Sequence, residues 1–187
     1  MMREKLYQPM CVSCPHNLSY RDAVPQKKSG VMMHCGEQFC TGGKRARRFK
    51  KRDPQSRAPD WCPKRKNPCE LRIYTLKDED ERVLHSMLSQ DMGHAISPAA
   101  HRYALRFEGT IPLTPHEFWR RCGREPMDKL LPAVMELYEV LEIDDGLKPV
   151  FFYKDWSDLR LEHSFDAGQA RNNVLVDKKL PMSERRG

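Results

Sequence analysis

Long apolar runs are missing from this chain of 187 residues. No stretch of about 18 consecutive apolar residues exists, so no segment is predicted to span a membrane. The opening Met1-Met2-Arg3-Glu4-Lys5-Leu6 has charges with no apolar stretch behind them. It reads as no secretory signal, which sets the expected compartment as a reducing cytoplasm. Hydrophobic residues are scarce at 39% while charged residues reach 32%, so the expected core is small. Catalytic signatures are also missing. There is no Gly-x-x-x-x-Gly-Lys, Gly-x-Gly-x-x-Gly or Gly-x-Ser-x-Gly. None of His85, His94, His101, His116 and His163 forms His-Glu-x-x-His, and no His-x-Glu precedes a Pro-Cys-x-x-Cys as a deaminase requires. Helix-turn-helix, homeodomain and RNP-type signatures are lacking, which argues against sequence-specific reading of nucleic acid. No internal repeat is visible.

Cysteine is nearly absent from the second part of the chain, where only Cys122 lies beyond residue 70. The other six, Cys11, Cys14, Cys35, Cys40, Cys62 and Cys69, fall in the first 70 residues. Charge divides the same way. Residues 1–70 hold 16 Lys and Arg against 6 Asp and Glu, a net of +10, whereas residues 71–187 hold 17 against 20, a net of −3. The first segment is rich in Pro, Gly, Lys and Arg and has no helical or alternating apolar period, so it cannot bury enough apolar surface to fold unaided.

Clustered cysteines in a reducing compartment read as metal ligands before disulfides. Cys11-x2-Cys14 can present two thiolates from one tight turn, and a distant pair completes a zinc tetrahedron. Cys11, Cys14 and Cys35 are the first choices, with Cys40 or Cys62 as the fourth. His16 and His34 adjoin two of these cysteines and are further candidates, enough in all for one zinc ion or two. Free buried thiols, disulfides, a redox Cys-x-x-Cys and an iron–sulfur cluster remain alternatives, although no βαβ unit surrounds Cys11. An all-cysteine set suits a structural zinc, since a catalytic zinc keeps an open position and usually takes histidine or carboxylate.

Between Cys40 and Cys62 runs Lys44-Arg45-Ala46-Arg47-Arg48-Phe49-Lys50-Lys51-Arg52, seven cations in nine positions. A phosphate backbone rewards such a run through counterion release, and Phe49 offers a ring for base stacking. The expected partner is nucleic acid or a nucleoprotein complex, with an acidic protein surface or a merely solubilising loop as the competing readings. In the second part, Asp144, Asp145, Asp155 and Asp158 give carboxylates near predicted strand ends, a set that a magnesium-dependent nuclease could use, though turn acids before strands are common. Trp119 and Trp156 are candidate points of protein contact.

Helix and strand signals lie mainly in residues 71–187. Leu71–Thr75 alternates as a strand. Val83, Leu84, Met87 and Leu88 recur at helical spacing over about 77–92. Ser97-Pro98 predicts a second helix through Tyr103 and Phe107 to Gly109, and Thr114-Pro115-His116-Glu117 is a capping box opening a short helix. A fourth helix is predicted over 127–142, with Leu130, Leu131, Val134, Leu137, Tyr138 and Leu141 as core. Asp144-Asp145-Gly146 is a turn. Val150–Tyr153, Leu159–Phe165 and Asn173–Val176 are predicted strands, and 181–187 a frayed end. The fold class is therefore α+β: an irregular zinc-stabilised module over 1–70, then a domain over 71–187 with helices within about 77–143 and short strands within about 150–176.

The pattern Cys11-x2-Cys14-Pro15-His16, then Cys35, then Pro59-x-Trp61-Cys62-Pro63, resembles the N-terminal cysteine-rich region of small uncharacterised proteins of bacterial phages and mobile elements. The resemblance covers the first third of the chain. It implies a mobile-element setting inside a bacterial host cell, where small non-enzymatic proteins bind nucleic acid or block host nucleases. An anti-CRISPR or other counter-defence inhibitor is the sharpest form of that expectation. The basic loop would then contact nucleic acid or a nucleoprotein and the α+β part a protein, with a metal-dependent nucleic-acid enzyme as the alternative.

Overall fold

Alternation of apolar and polar residues builds the larger part of the molecule, seen in a computed structural model that describes residues 6, 10–19, 37–54, 57–92, 96–156 and 158–176. The chain divides into two compact units. One comprises Tyr7–Lys66 with Gly146–Lys148; the other comprises Met1–Leu6, Asn67–Asp145 and Pro149–Gly187.

The first unit carries a small antiparallel sheet of β1 (Asn17–Ser19), β2 (Gln38–Cys40) and β3 (Arg47–Arg48), in that order. Gly146 closes against this unit at φ +81°, and a Cβ there would stand 2.8 Å from the Lys64 carbonyl oxygen, so glycine is required.

The second unit is a five-stranded antiparallel sheet. Its strands are β4 (Cys69–Leu76), β5 (Tyr103–Ile111), β6 (Val140–Asp144), β7 (Val150–Lys154) and β8 (Leu159–Glu162), ordered β5-β4-β6-β7-β8. On one face Leu71, Ile73, Leu141, Ile143, Phe152 and Leu161 pack with Phe118 and Trp119 of α2 (Pro115–Arg121) and with Leu130, Leu131 and Met135. Each such side chain contributes roughly 1.5–3 kcal/mol on burial. The opposite face buries Tyr74, Tyr103, Val140 and Tyr153 with Phe165 and with Ala167 and Ala170 of α3 (Ala167–Asn172). Helix α1 (Glu79–Met92) also lies on this side, where His85 meets Tyr138 and Tyr153. A β-bulge opposite Ile73 and Tyr74 frees Arg106 from the pairing. Its guanidinium holds both oxygens of the fully buried Glu139 at 2.5 and 2.8 Å.

The α+β class holds, but several elements differ from expectation. The segment 97–109 is not helical. A 3₁₀ turn at Ala100–Arg102 leads into β5, because Leu105, Phe107 and Ile111 alternate with Arg106, Glu108 and Thr110 and find β4 as partner. The helix over 127–142 reduces to a 3₁₀ turn at Met127–Lys129, and β6 takes residues 140–144. Leu130, Leu131, Tyr138 and Leu141 are core, whereas Val134 and Leu137 are exposed. Asn173–Val176 is no strand. Asn173 instead ends α3, its side-chain amide donating to the Tyr103 carbonyl at 2.6 Å. Trp119, expected as a contact point, is buried and stacked on Phe152 at 5.5 Å; Trp156 is exposed. Gly93, His94 and residues 181–187 lie outside the described residues. Among those residues no helix is long and apolar enough to cross a membrane.

Candidate metal and polyanion-binding module

Two tight turns present the cysteines of the first unit. Cys11–Ser13 forms one turn of 3₁₀ helix; the Cys14 N–H donates to the Cys11 carbonyl at 3.0 Å and the Asn17 N–H to that of Cys14 at 3.0 Å. This sequence of turns delivers Cys11 and Cys14 on one knuckle and starts β1 directly after it. Cys40 ends β2 and pairs with Asn17 of β1, so the sheet register sets it beside the knuckle. Cys62 sits on a second pair of turns, its N–H bonded to Pro59 and its carbonyl accepting from Arg65, both at 3.0 Å. The Arg65 guanidinium fastens these turns through the carbonyls of Pro59 and Ala58 at 3.1 and 2.7 Å.

The Cys11 thiol is pushed up to about 11, first by burial and then by the negative charge that Cys62, Cys14 and Cys40 would carry as thiolates. Arg65 acts in the opposite direction. Cys62, Cys14 and Cys40 are therefore near enough to Cys11 to act on it. Such a set tolerates full ionisation only around a cation, and four thiolates are the donors that zinc takes. Among the described residues no group of three or more His, Cys, Asp and Glu side chains stands at ligating geometry. Cys35 and His34 lie outside the described residues, and His16 flanks the knuckle beside Gly42. Cys69 belongs elsewhere: it opens β4 and is buried among the apolar side chains of the second unit.

The basic run occupies β3 and its flanks, with Lys44, Arg45, Arg47, Arg48, Lys50, Lys51 and Arg52 all exposed. It is shaped by Trp61. The Arg47 guanidinium lies over the Trp61 ring at 4.1 Å, and Phe49 packs against it at 5.1 Å with the planes tilted by 57°. The indole N–H donates to Asp53 at 3.1 Å. The other Asp53 oxygen accepts from the Lys50 N–H at 2.7 Å, and that backbone bond, ahead of the indole, holds its carboxyl below the usual range. Arg48 pairs with Glu37 at 2.6 Å. Phe49 is thus half-buried against tryptophan, while Lys44, Arg45, Lys51 and Arg52 project from the ends of the run. The anchoring roles of Trp61 and Arg65 were missed by sequence reasoning. The visible signals were an aromatic residue and an arginine flanking Cys62.

Two of the turn acids, Asp155 and Asp158, accept from backbone N–H groups. Asp155 accepts from the Asp158 N–H at 3.0 Å and Asp158 from that of Leu159 at 2.8 Å, which closes the β7–β8 connection. The buried Glu142 is held by Arg72 at 3.1 Å and by the Tyr74 hydroxyl, while Arg72 also binds Glu70 and Glu108 at 2.8 Å each. Those three carboxylates surround one half-buried guanidinium. No protein-family model, curated protein or solved structure matches this chain.

Proposed function

We propose that the protein acts by binding rather than catalysis: a zinc-stabilised N-terminal module offers its basic run to nucleic acid or to a nucleoprotein complex. The observation that carries this reading is the exposure of all seven cations on a loop anchored by Trp61. A loop that only conferred solubility would need no such anchoring. Zinc would be held by Cys11, Cys14, Cys40 and Cys62, with Cys35 as the other thiol of the set. The approach of Cys62, Cys14 and Cys40 to Cys11 supports this ligand choice. The metal would supply the cross-link that a segment without a core lacks. A counter-defence inhibitor of a host nuclease such as a CRISPR effector is the sharpest form of this proposal. Its ground is the cysteine pattern of the first third.

The test reverses Lys44, Arg45, Lys51 and Arg52 to glutamate and spares Arg47 and Arg48, which have partners within the module. Binding to a single-stranded and a double-stranded oligonucleotide should fall by more than about tenfold and lose most of its salt dependence, because each phosphate neutralised releases counterions. Zinc content should stay unchanged. Equal binding with an unchanged salt slope would assign the run to solubility.

A further inference from the structure

Positive charge in the first unit extends beyond the run that the sequence displays. Pro63 lies against the two glycines that open the run: a Cβ at Gly42 would stand 3.5 Å from Pro63 Cγ, and one at Gly43 3.5 Å from Pro63 Cβ. Lys44 follows Gly43 and Lys64 follows Pro63, so the two lysines flank one contact although they come from separate segments. Both are exposed. The backbone of Lys64 is set from two further directions. The Cys62 carbonyl accepts from the Arg65 N–H at 3.0 Å. Gly146, which belongs to this unit, approaches the Lys64 carbonyl so closely that it has no room for a Cβ. Lys64 is therefore placed beside the run by packing.

The acids of this unit do not balance its cations. Its described residues hold 12 Lys and Arg against 3 Asp and Glu, so the field over its surface is positive. The three acids already have partners. Glu37 pairs with Arg48 and Asp60 with Arg57, each at 2.6 Å, while Asp53 accepts from the Trp61 indole and the Lys50 N–H. Lys44, Arg45, Lys51, Arg52 and Lys64 carry the excess charge into solvent.

The shape of the unit selects among polyanions. A single strand of nucleic acid is held by bases stacked on open aromatic faces as well as by charge. Here Phe49 and Trp61 pack on each other and Arg47 covers Trp61, so the rings beside the cations are already engaged. Base edges in a duplex are read by a helix or a β-ribbon that enters the groove. Among its described residues the unit has one 3₁₀ turn and strands of at most three residues, which are too short for that role. What it offers is charge on long side chains from two adjoining loops. That suits a phosphate backbone, whose charge is densest on a duplex, about one per 1.7 Å of axis.

We infer that this unit grips the backbone of a nucleic-acid duplex without reading its bases, and that Lys64 contacts phosphate alongside the run. The inference rests on the nucleic-acid reading of the basic run and narrows it.

The test titrates the full chain into fluorescein-labelled DNA duplexes of equal length, one A·T-rich and one G·C-rich, into an RNA duplex, and into the separate strands, with anisotropy as the readout. The two DNA duplexes should bind within about twofold of each other, because phosphate contacts carry no sequence information. Single strands should bind about fivefold more weakly or worse, since their charge is sparser. The ratio of DNA to RNA duplex names the source of the backbone. Lys64→Gln should weaken duplex binding by about threefold and lower the salt slope by about one unit, equally for every sequence. Lys64→Arg should restore both, and each variant should melt at the wild-type temperature because the side chain is exposed. Equal or tighter binding of single strands, a strong preference for one DNA sequence, or an unchanged salt slope in Lys64→Gln would overturn the inference. So would poly-glutamate that competes as well as duplex at equal charge, because the partner would then be an acidic protein surface. Loss of binding on reversing Lys44, Arg45, Lys51 and Arg52 but not in Lys64→Gln would leave the basic-run reading standing and remove Lys64 from it. Failure of every oligonucleotide to bind the wild type would remove both.

Discussion

Between Arg102 and Arg160, with only 1% of its surface exposed, the His85 ring stays neutral. Burial is the larger cause and the two guanidiniums follow, with Glu81 pulling the other way, so its pKa is pushed down to about 4. In the unfolded chain the same ring takes its proton near 6.5. Between those values the unfolded state binds more protons, so stability falls as the pH drops from about 6.5 toward 4 and is unaffected above that window. The effect is on the order of 1–3 kcal/mol. Urea midpoints at pH 7 and pH 4.5 should show a larger acid loss for the wild type than for His85→Gln, and equal losses would refute the assignment. The sequence marked His85 only as a histidine outside any catalytic motif. Its environment comes from Tyr153, 68 positions away.

At the scale of elements, α2 was legible because its signal is confined to four neighbouring residues. Glu117 N–H donates to Thr114 Oγ1 at 3.3 Å while the Glu117 carboxylate accepts from the Thr114 N–H at 2.9 Å, with Pro115 in the first turn. Thr114→Ala should cost about 1 kcal/mol, read as a lowered urea midpoint with an unchanged slope. A midpoint within error of wild type would mean that the packing of Phe118 and Trp119 alone sets this helix. Strand β5 was missed although its alternation was present, because Ser97-Pro98 resembled a helix start. The same reading took Asn173 as the start of a strand when its amide ties off α3. Residues 127–142 were missed for a different reason. Their apolar spacing matches a helix, but Leu141 pairs with Ile73 on one side and Phe152 on the other. A strand with partners on both sides outweighs a spacing that would leave Glu139 without Arg106.

For the molecule as a whole, the two units should respond differently to loss of metal. The unit of Asn67–Asp145 and Pro149–Gly187 has apolar clusters on both faces of its sheet, whereas the N-terminal unit has three short strands and its thiols. On the zinc-module proposal, purified protein should carry about one zinc. Removing it with a chelator, or replacing Cys14 by Ser, should abolish hydrogen-exchange protection in 10–19 and 37–54 and leave 69–76 and 140–154 protected. Full protection of the first segment in metal-free protein would exclude a structural metal. Readable in the chain alone were features that act over a few residues: the Cys-x-x-Cys knuckle, the capping box, the Gly146 turn, the basic run and the division of charge between two parts. Beyond its reach were the sheet order, the bulge that turns Arg106 onto Glu139, and the direction in which α1 faces. Periodicity reports that a helix has an apolar side. Which side meets the core depends on what Thr75, Arg102, Tyr138 and Tyr153 offer across the interface, and those partners are assembled only by long-range pairing.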